Sequence, residues 1–283
     1  MGSGWHEWPL VIFTVFGQCV AGAMLVMGVT LLRENDPQAR LRVVRSLFFI
    51  WMAMGIGFIA SVLHLGSPLR AFNSLNRIGA SGLSNEIASG ALFFAVGGIG
   101  WLLAVLNKLP AGLRALWLIV TMVLGVVFVW MMTRVYQIDT VPTWHNGYTT
   151  LSFFLTMLLG GPLFAALLLA ASGVTLSRVA VGVSLLALLA TVAVIVLQSA
   201  GLATIHSSVQ RANELLPDYG SLQVWRIILL ALGLGCWLCP LLRHRPPKSW
   251  GLAAGLILVV LGECIGRGLF YGLHMTTGVA IAG

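Results

Sequence analysis

His64 and Glu86 are the residues of this sequence best placed to move protons. His64 ends the apolar stretch FIASVLHLGSP, just before Gly66 and Pro68 break it, and Glu86 opens the next apolar stretch in GLSNEIASG. Two consecutive membrane helices form a hairpin, which brings both residues to the same face. Imidazole exchanges protons near neutral pH, and burial disfavours the charged form of a carboxyl. Ionisable groups at membrane depth are expensive and by default point to function. Glu86 has a second reading: an acid near a helix N-terminus is stabilising, and Ser84 or Asn85 could cap there.

Other candidates are weaker. Glu263 and Arg267 sit four apart in the last apolar stretch, a spacing that puts them on one helix face as a structural ion pair. Arg267 also precedes the aromatic stretch LFYGLHM, which could line a lipid or quinone pocket. Histidines His6, His64, His145, His206 and His274 fall on one side of the chain's alternation, and only His244, in RHRPPK, falls on the other. A haem would need histidines facing each other inside the bundle, whereas these lie at helix ends or in loops. Cys19, Cys236, Cys239 and Cys264 all lie in apolar stretches and read as packed thiols, and the lone CxxC of GCWLCP lacks a second ligand pair. No metal-ligand spacing, P-loop or dinucleotide motif is present, so neither a metal nor a haem is expected in this chain.

The elements that must hold these groups are dictated by composition. The 283 residues are 59% hydrophobic and only 8% charged, against about 25% charged in soluble domains. Lipid is the solvent such a surface needs. Eight continuous apolar runs reach the length of about 20 residues required to span a bilayer, near 10–32, 44–65, 86–107, 114–136, 150–171, 178–200, 222–242 and 250–271. A β-barrel would alternate apolar and polar residues instead. The expected fold is therefore an all-α integral membrane bundle of eight transmembrane helices, one domain over 1–283. MGSGWHEWPL lacks the basic start of a signal peptide, so the first run is expected to stay.

The net charge of +8 does not imply nucleic acid, because the basic residues follow the loops. Arg33, Arg40, Arg42, Arg45, Lys108, Arg114, Arg178, Arg243, Arg245 and Lys248 fall on one side; Arg70, Arg77, Arg134, Arg211, Arg226 and Arg267 fall on the other. The side with ten should be cytoplasmic. Both termini then face the periplasm, with the longer, more polar loops two, four and six. Trp5, Trp8, Trp144 and Tyr148 read as interfacial anchors on that side. GIG at 55–57, GGIG at 97–100 and the GxxxG of Gly262 and Gly266 read as close helix contacts.

The stretches GWHEWPL, FIASVLHLGSPLRAFNSLNR, LSNEIASG, DTVPTW, ATIHSSVQ and GLFYGLHM resemble the membrane-anchor subunit of the dimethyl sulfoxide reductase family from residue 3 to near the C-terminus. GYTTLSF in loop four is similar to a paralogous anchor of that family, one whose reductase takes dimethyl sulfoxide or selenate. The resemblance implies an anchor in the bacterial inner membrane. It would bind menaquinol and pass its electrons to an iron–sulfur subunit that serves a molybdopterin catalytic subunit in anaerobic respiration, with no redox cofactor of its own. It also implies that His64 and Glu86 are the essential quinol-site residues. Gly66, Arg70, Phe72 and Ser74 match the same site region, and Arg77 is placed beside them to polarise the quinone or dock a partner. The terminal acceptor is not legible here, because that specificity belongs to another polypeptide. Two other readings of the residues stay open: a proton-coupled transporter built around Glu263 and Arg267, and a purely structural anchor.

Overall fold

The computed structural model describes residues 4–64, 73, 75–175, 178–205, 212 and 215–276, with His64 described for its backbone alone. After a short 3-10 helix at Gly4–Glu7, the described residues form eight long helices: α1 (Trp8–Arg33), α2 (Pro37–His64), α3 (Gly82–Val105), α4 (Ala111–Val135), α5 (Gly147–Ala171), α6 (Arg178–Leu202), α7 (Tyr219–Leu242) and α8 (Ser249–Gly272). All eight are long and apolar enough to cross a membrane. They coincide with the eight expected runs. The largest difference is α2, which begins at Pro37 rather than near 44. Hydropathy misses these first two turns because they hold Arg40 and Arg42. Asp36 starts them instead: its carboxylate accepts the backbone N–H groups of Gln38 (3.1 Å) and Ala39 (3.0 Å), which hold its carboxyl below the usual range.

Helix α1 is the hub. It packs on α2, α4, α5 and α8, and 72% of its spanning window is buried, as in α5, against 22% in α3. Helix α1 approaches α5 backbone to backbone. A Cβ on Gly161 would lie 2.4 Å from Gly22 Cα, and one on Gly22 would lie 2.1 Å from the Met157 carbonyl oxygen. Lipid tails are as apolar as the helices, so close backbone packing must supply the association that water would otherwise drive. In the other glycine motifs, large side chains occupy the space. Gly97 admits the Trp51 ring, Gly100 admits the Trp117 ring, and Gly266 admits the Arg226 guanidinium, whereas Gly55 and Gly57 leave ordinary clearances. The Gly262–Gly266 motif is therefore in part a seat for a charge.

Short turns close one end of the bundle. Asn107 (φ 55°) and His244 (φ 54°) adopt the left-handed conformation just past α3 and α7, a position where asparagine and histidine are tolerated. Two of the four expected anchors behave as such: Trp5 and Trp8 are exposed at 43% and 50%. Trp144 is a correction. Its indole N–H donates to the Phe270 carbonyl (2.7 Å) and its ring stacks on Phe270 at 5.2 Å, so it locks loop four onto the end of α8. Tyr148 is half-buried beside the α5–α8 core.

Replacing Gly161 by Val should lower the melting temperature of the detergent-solubilised protein by several degrees, because overpacking against rigid backbone costs about 1–3 kcal/mol. Gly98→Ala, where a Cβ meets nothing within 4 Å, should leave it unchanged.

Candidate functional site

Three buried polar groups gather in the half of the bundle where α2 ends and α3 begins. The first is Glu86. It lies in the second turn of α3, is 4% exposed, and its carboxyl makes no hydrogen bond to any described residue; Oε1 is wholly buried. The N-cap of α3 is Ser81, and Asn85 uses its side-chain oxygen to accept the Gly79 N–H at 2.6 Å. Glu86 therefore caps nothing. It points inward, and α3 on α4 sets its depth: Gly82 lies against Val135 and Gly90 against Phe128.

The second group is a pair of tyrosines. The hydroxyls of Tyr136, at the end of α4, and Tyr271, in α8, are 2.8 Å apart and buried. Tyr271 also reaches the Thr14 hydroxyl of α1, and Glu86 lies within electrostatic reach of both phenols. Trp144, Phe153 and Phe270 wall this pair.

The third group corrects an expectation. Glu263 does not pair with Arg267, one turn away on its own helix. Glu263 Oε2 instead accepts from Arg226 Nη2 of α7 (3.1 Å) and from the Thr156 hydroxyl of α5 (2.6 Å). Arg267 turns toward α1, donates to Gln18 Oε1 (2.9 Å), and rests its guanidinium 3.6 Å above the Phe153 ring. The i, i+4 rule describes exposed helix faces. In a packed interior, partners on neighbouring helices offer better geometry.

A cavity of about 20 Å³ adjoins this third group, lined by polar side chains including Ser152, Gln198, Gln223, Arg226, Glu263 and Arg267. Gln223 Oε1, Arg226 Nε, Glu263 Oε1 and Arg267 Nε are buried there without protein partners. The space suits about one water and is far too small for a quinone ring, which needs pockets of a few hundred Å³. A larger cavity of about 610 Å³ lies between α1, α5 and α6 near Arg33 and Glu34, and Glu86 does not line it. Size alone does not mark the site here.

Of the expected quinol-site residues, Glu86 is in the interior and Arg77 is exposed in the turn before α3. His64 closes α2, with its backbone at the same end of the bundle. The His64 side chain and Gly66, Arg70, Phe72 and Ser74 lie outside the described residues. Among the other histidines, His145 Nδ1 contacts the Asp139 carboxylate (3.0 Å), His274 packs on Trp144, and His206 lies outside the described residues. Gln18, Tyr136, Thr156, Arg226 and Tyr271 were not legible as a group. The available signal was a glutamine and an arginine inside apolar runs, each polar where lipid penalises polarity. Among the described residues no group of three or more His, Cys, Asp or Glu gathers as a metal site.

The fold and the site define a polytopic membrane protein that holds buried glutamates, arginines and tyrosines at one end of its bundle. The chain matches the family model for the DMSO reductase anchor subunit (DmsC) over residues 1–273. It is 66% identical over 284 residues to the YnfH subunit of an anaerobic dimethyl sulfoxide reductase of Escherichia coli (strain K12), and 61% identical over 286 residues to the C subunit of the anaerobic dimethyl sulfoxide reductase of the same organism. It is 42% identical over 290 residues to the C subunit of the Haemophilus influenzae anaerobic dimethyl sulfoxide reductase, and each match covers 100% of both proteins. The chain belongs to the dimethyl sulfoxide reductase anchor subunit family, as a multi-pass subunit of a bacterial membrane.

Breaking the Glu263–Arg226 pair from one side, as Glu263→Leu or Arg226→Leu, should cost about 3–5 kcal/mol by stranding a buried charge. The double variant should recover at least half of that in thermal denaturation of the solubilised protein. Additive losses would show that the two side chains do not act as a pair.

Proposed function

We propose that this subunit binds menaquinol at the end of the bundle where α2 meets α3, oxidises it, and passes the electrons to an iron–sulfur subunit that serves a molybdopterin catalytic subunit. The observation that carries the reading is Glu86: a buried carboxyl with no hydrogen-bond partner among the described residues, one helix hairpin away from His64. A polar group so placed is costly unless something completes it, and a quinol hydroxyl is a donor that fits. The name of the relatives, anaerobic dimethyl sulfoxide reductase, supports a respiratory role for this chain.

Quinol oxidation releases two electrons and two protons. His64 accepts a proton from one hydroxyl, for which it must lie within direct or one-water contact. Glu86 takes up and releases protons toward the nearby end of the bundle. Gly66, Arg70, Phe72, Ser74 and Arg77 shape the mouth: the arginines polarise the ring oxygens and Phe72 packs on the ring. The ten basic residues at the opposite end assign that end to the cytoplasm, so both termini and the quinol site face the periplasm. Electrons and protons then leave on one side, and the reaction moves no charge across the membrane.

Glu86→Gln preserves shape and removes the titratable group. Quinol-analogue-dependent reductase turnover in isolated membranes should fall about 100-fold or more, as it should in His64→Arg. Turnover with a soluble artificial donor that reduces the catalytic subunit directly should be unchanged. Unaltered quinol-dependent rates with intact assembly would overturn the assignment. A purely structural anchor would show no binding of a quinol-site inhibitor in a fluorescence titration.

A further inference from the structure

The opposite end of the bundle carries a second site. A cavity of about 390 Å³ opens where the α1–α2 and α3–α4 turns meet. Arg40 of α2 and Arg114 of α4 both line it, with Gln38 and Asn107 beside them and no acidic side chain in the wall. Arg40 is only partly satisfied: its Nη2 donates to the Glu34 carbonyl, and its Nε is buried with no partner. Arg114 is half-buried and forms no ion pair or hydrogen bond with any described residue. Arg42, also near this end, behaves differently: its Nε donates to the Ser172 carbonyl (2.8 Å).

The deeper wall is apolar. It is made by Leu41 and Val44 of α2 and by Trp117 and Leu118 of α4, so it runs from the helix ends into the spanning segments. A free anion would satisfy the guanidinium groups and leave this wall uncovered. A molecule with an anionic head and an apolar tail covers both.

We propose that Arg40 and Arg114 hold the phosphate of an anionic phospholipid from the surrounding leaflet, with an acyl chain along Leu41, Val44 and Leu118. The helix ends set the depth: α2 starts at Pro37 and α4 at Ala111, which places both arginines at headgroup level. Basic pockets between helices at this level are recognised by phosphate headgroups, and guanidinium groups suit phosphate oxygens. The site ties α2 to α4 across the short α3–α4 turn. The assignment is independent of the quinol site at the other end.

The test uses the purified complex in detergent, titrated with phosphatidylglycerol, phosphatidylcholine or inorganic phosphate while its melting temperature and its retained lipid are followed, the latter by native mass spectrometry. Phosphatidylglycerol should raise the melting temperature and co-purify. Arg40→Gln/Arg114→Gln should weaken its apparent affinity at least ten-fold, whereas Arg45→Gln, an exposed cation at the same end, should leave it unchanged. Equal affinity in the double variant, or an equal loss in Arg45→Gln, would overturn the site in favour of a diffuse basic face. An equal shift from inorganic phosphate or from phosphatidylcholine would overturn the anionic-lipid assignment. If the double variant does not assemble, Arg114→Gln alone decides by the same readouts, with a loss of at least three-fold expected and no loss overturning the site.

Discussion

Glu263 and Arg226 meet between α8 and α7, both nearly inaccessible to solvent. The half of the bundle where α2 ends and α3 begins is arranged around their contact. A charge in a lipid-facing protein cannot fall back on water. It must be matched by another charge or by hydrogen bonds, and each match fixes a helix. Thr156 brings α5 to the same carboxylate, and Gly266 is a glycine because Arg226 lies where a Cβ would be. Arg267, left free by that arrangement, reaches α1 through Gln18 and α5 through Phe153. Four helices are thus held in register by two arginines and one glutamate.

Against that background the two buried glutamates of the bundle differ in kind. Glu263 accepts two hydrogen bonds from the protein, while Glu86 accepts none from the described residues. A stabilising role accounts for the first and not for the second. The same contrast separates the basic residues at the other end: Arg42 bonds the Ser172 carbonyl, while Arg114 bonds none of the described residues.

The eight helices were legible because a bilayer demands length and continuous apolarity, and both are written locally. His64 and Glu86 were legible because a short polar stretch joins two apolar runs, and a hairpin then fixes which ends share a face. The Glu263–Arg267 expectation shows the limit of that reasoning. Spacing along one helix identifies residues that can meet, but the partner chosen depends on what the neighbouring helices present. Trp144 shows the same limit: its position in a loop fits an interfacial anchor, while the end of α8 supplies a carbonyl and a ring that claim it.

By itself, then, the sequence determined the solvent, the number of spans, the unequal basic character of the two ends and which residue types could exchange protons. These depend on composition and on separations of a few residues. Only the tertiary structure decided that α1 is the hub, that Tyr136 meets Tyr271, that Arg226 answers Glu263, and that Glu86 is buried with no hydrogen-bond partner among the described residues. Those facts join residues more than a hundred positions apart in several cases. They are set by which helix faces pack closely, and that depends on all eight helices at once.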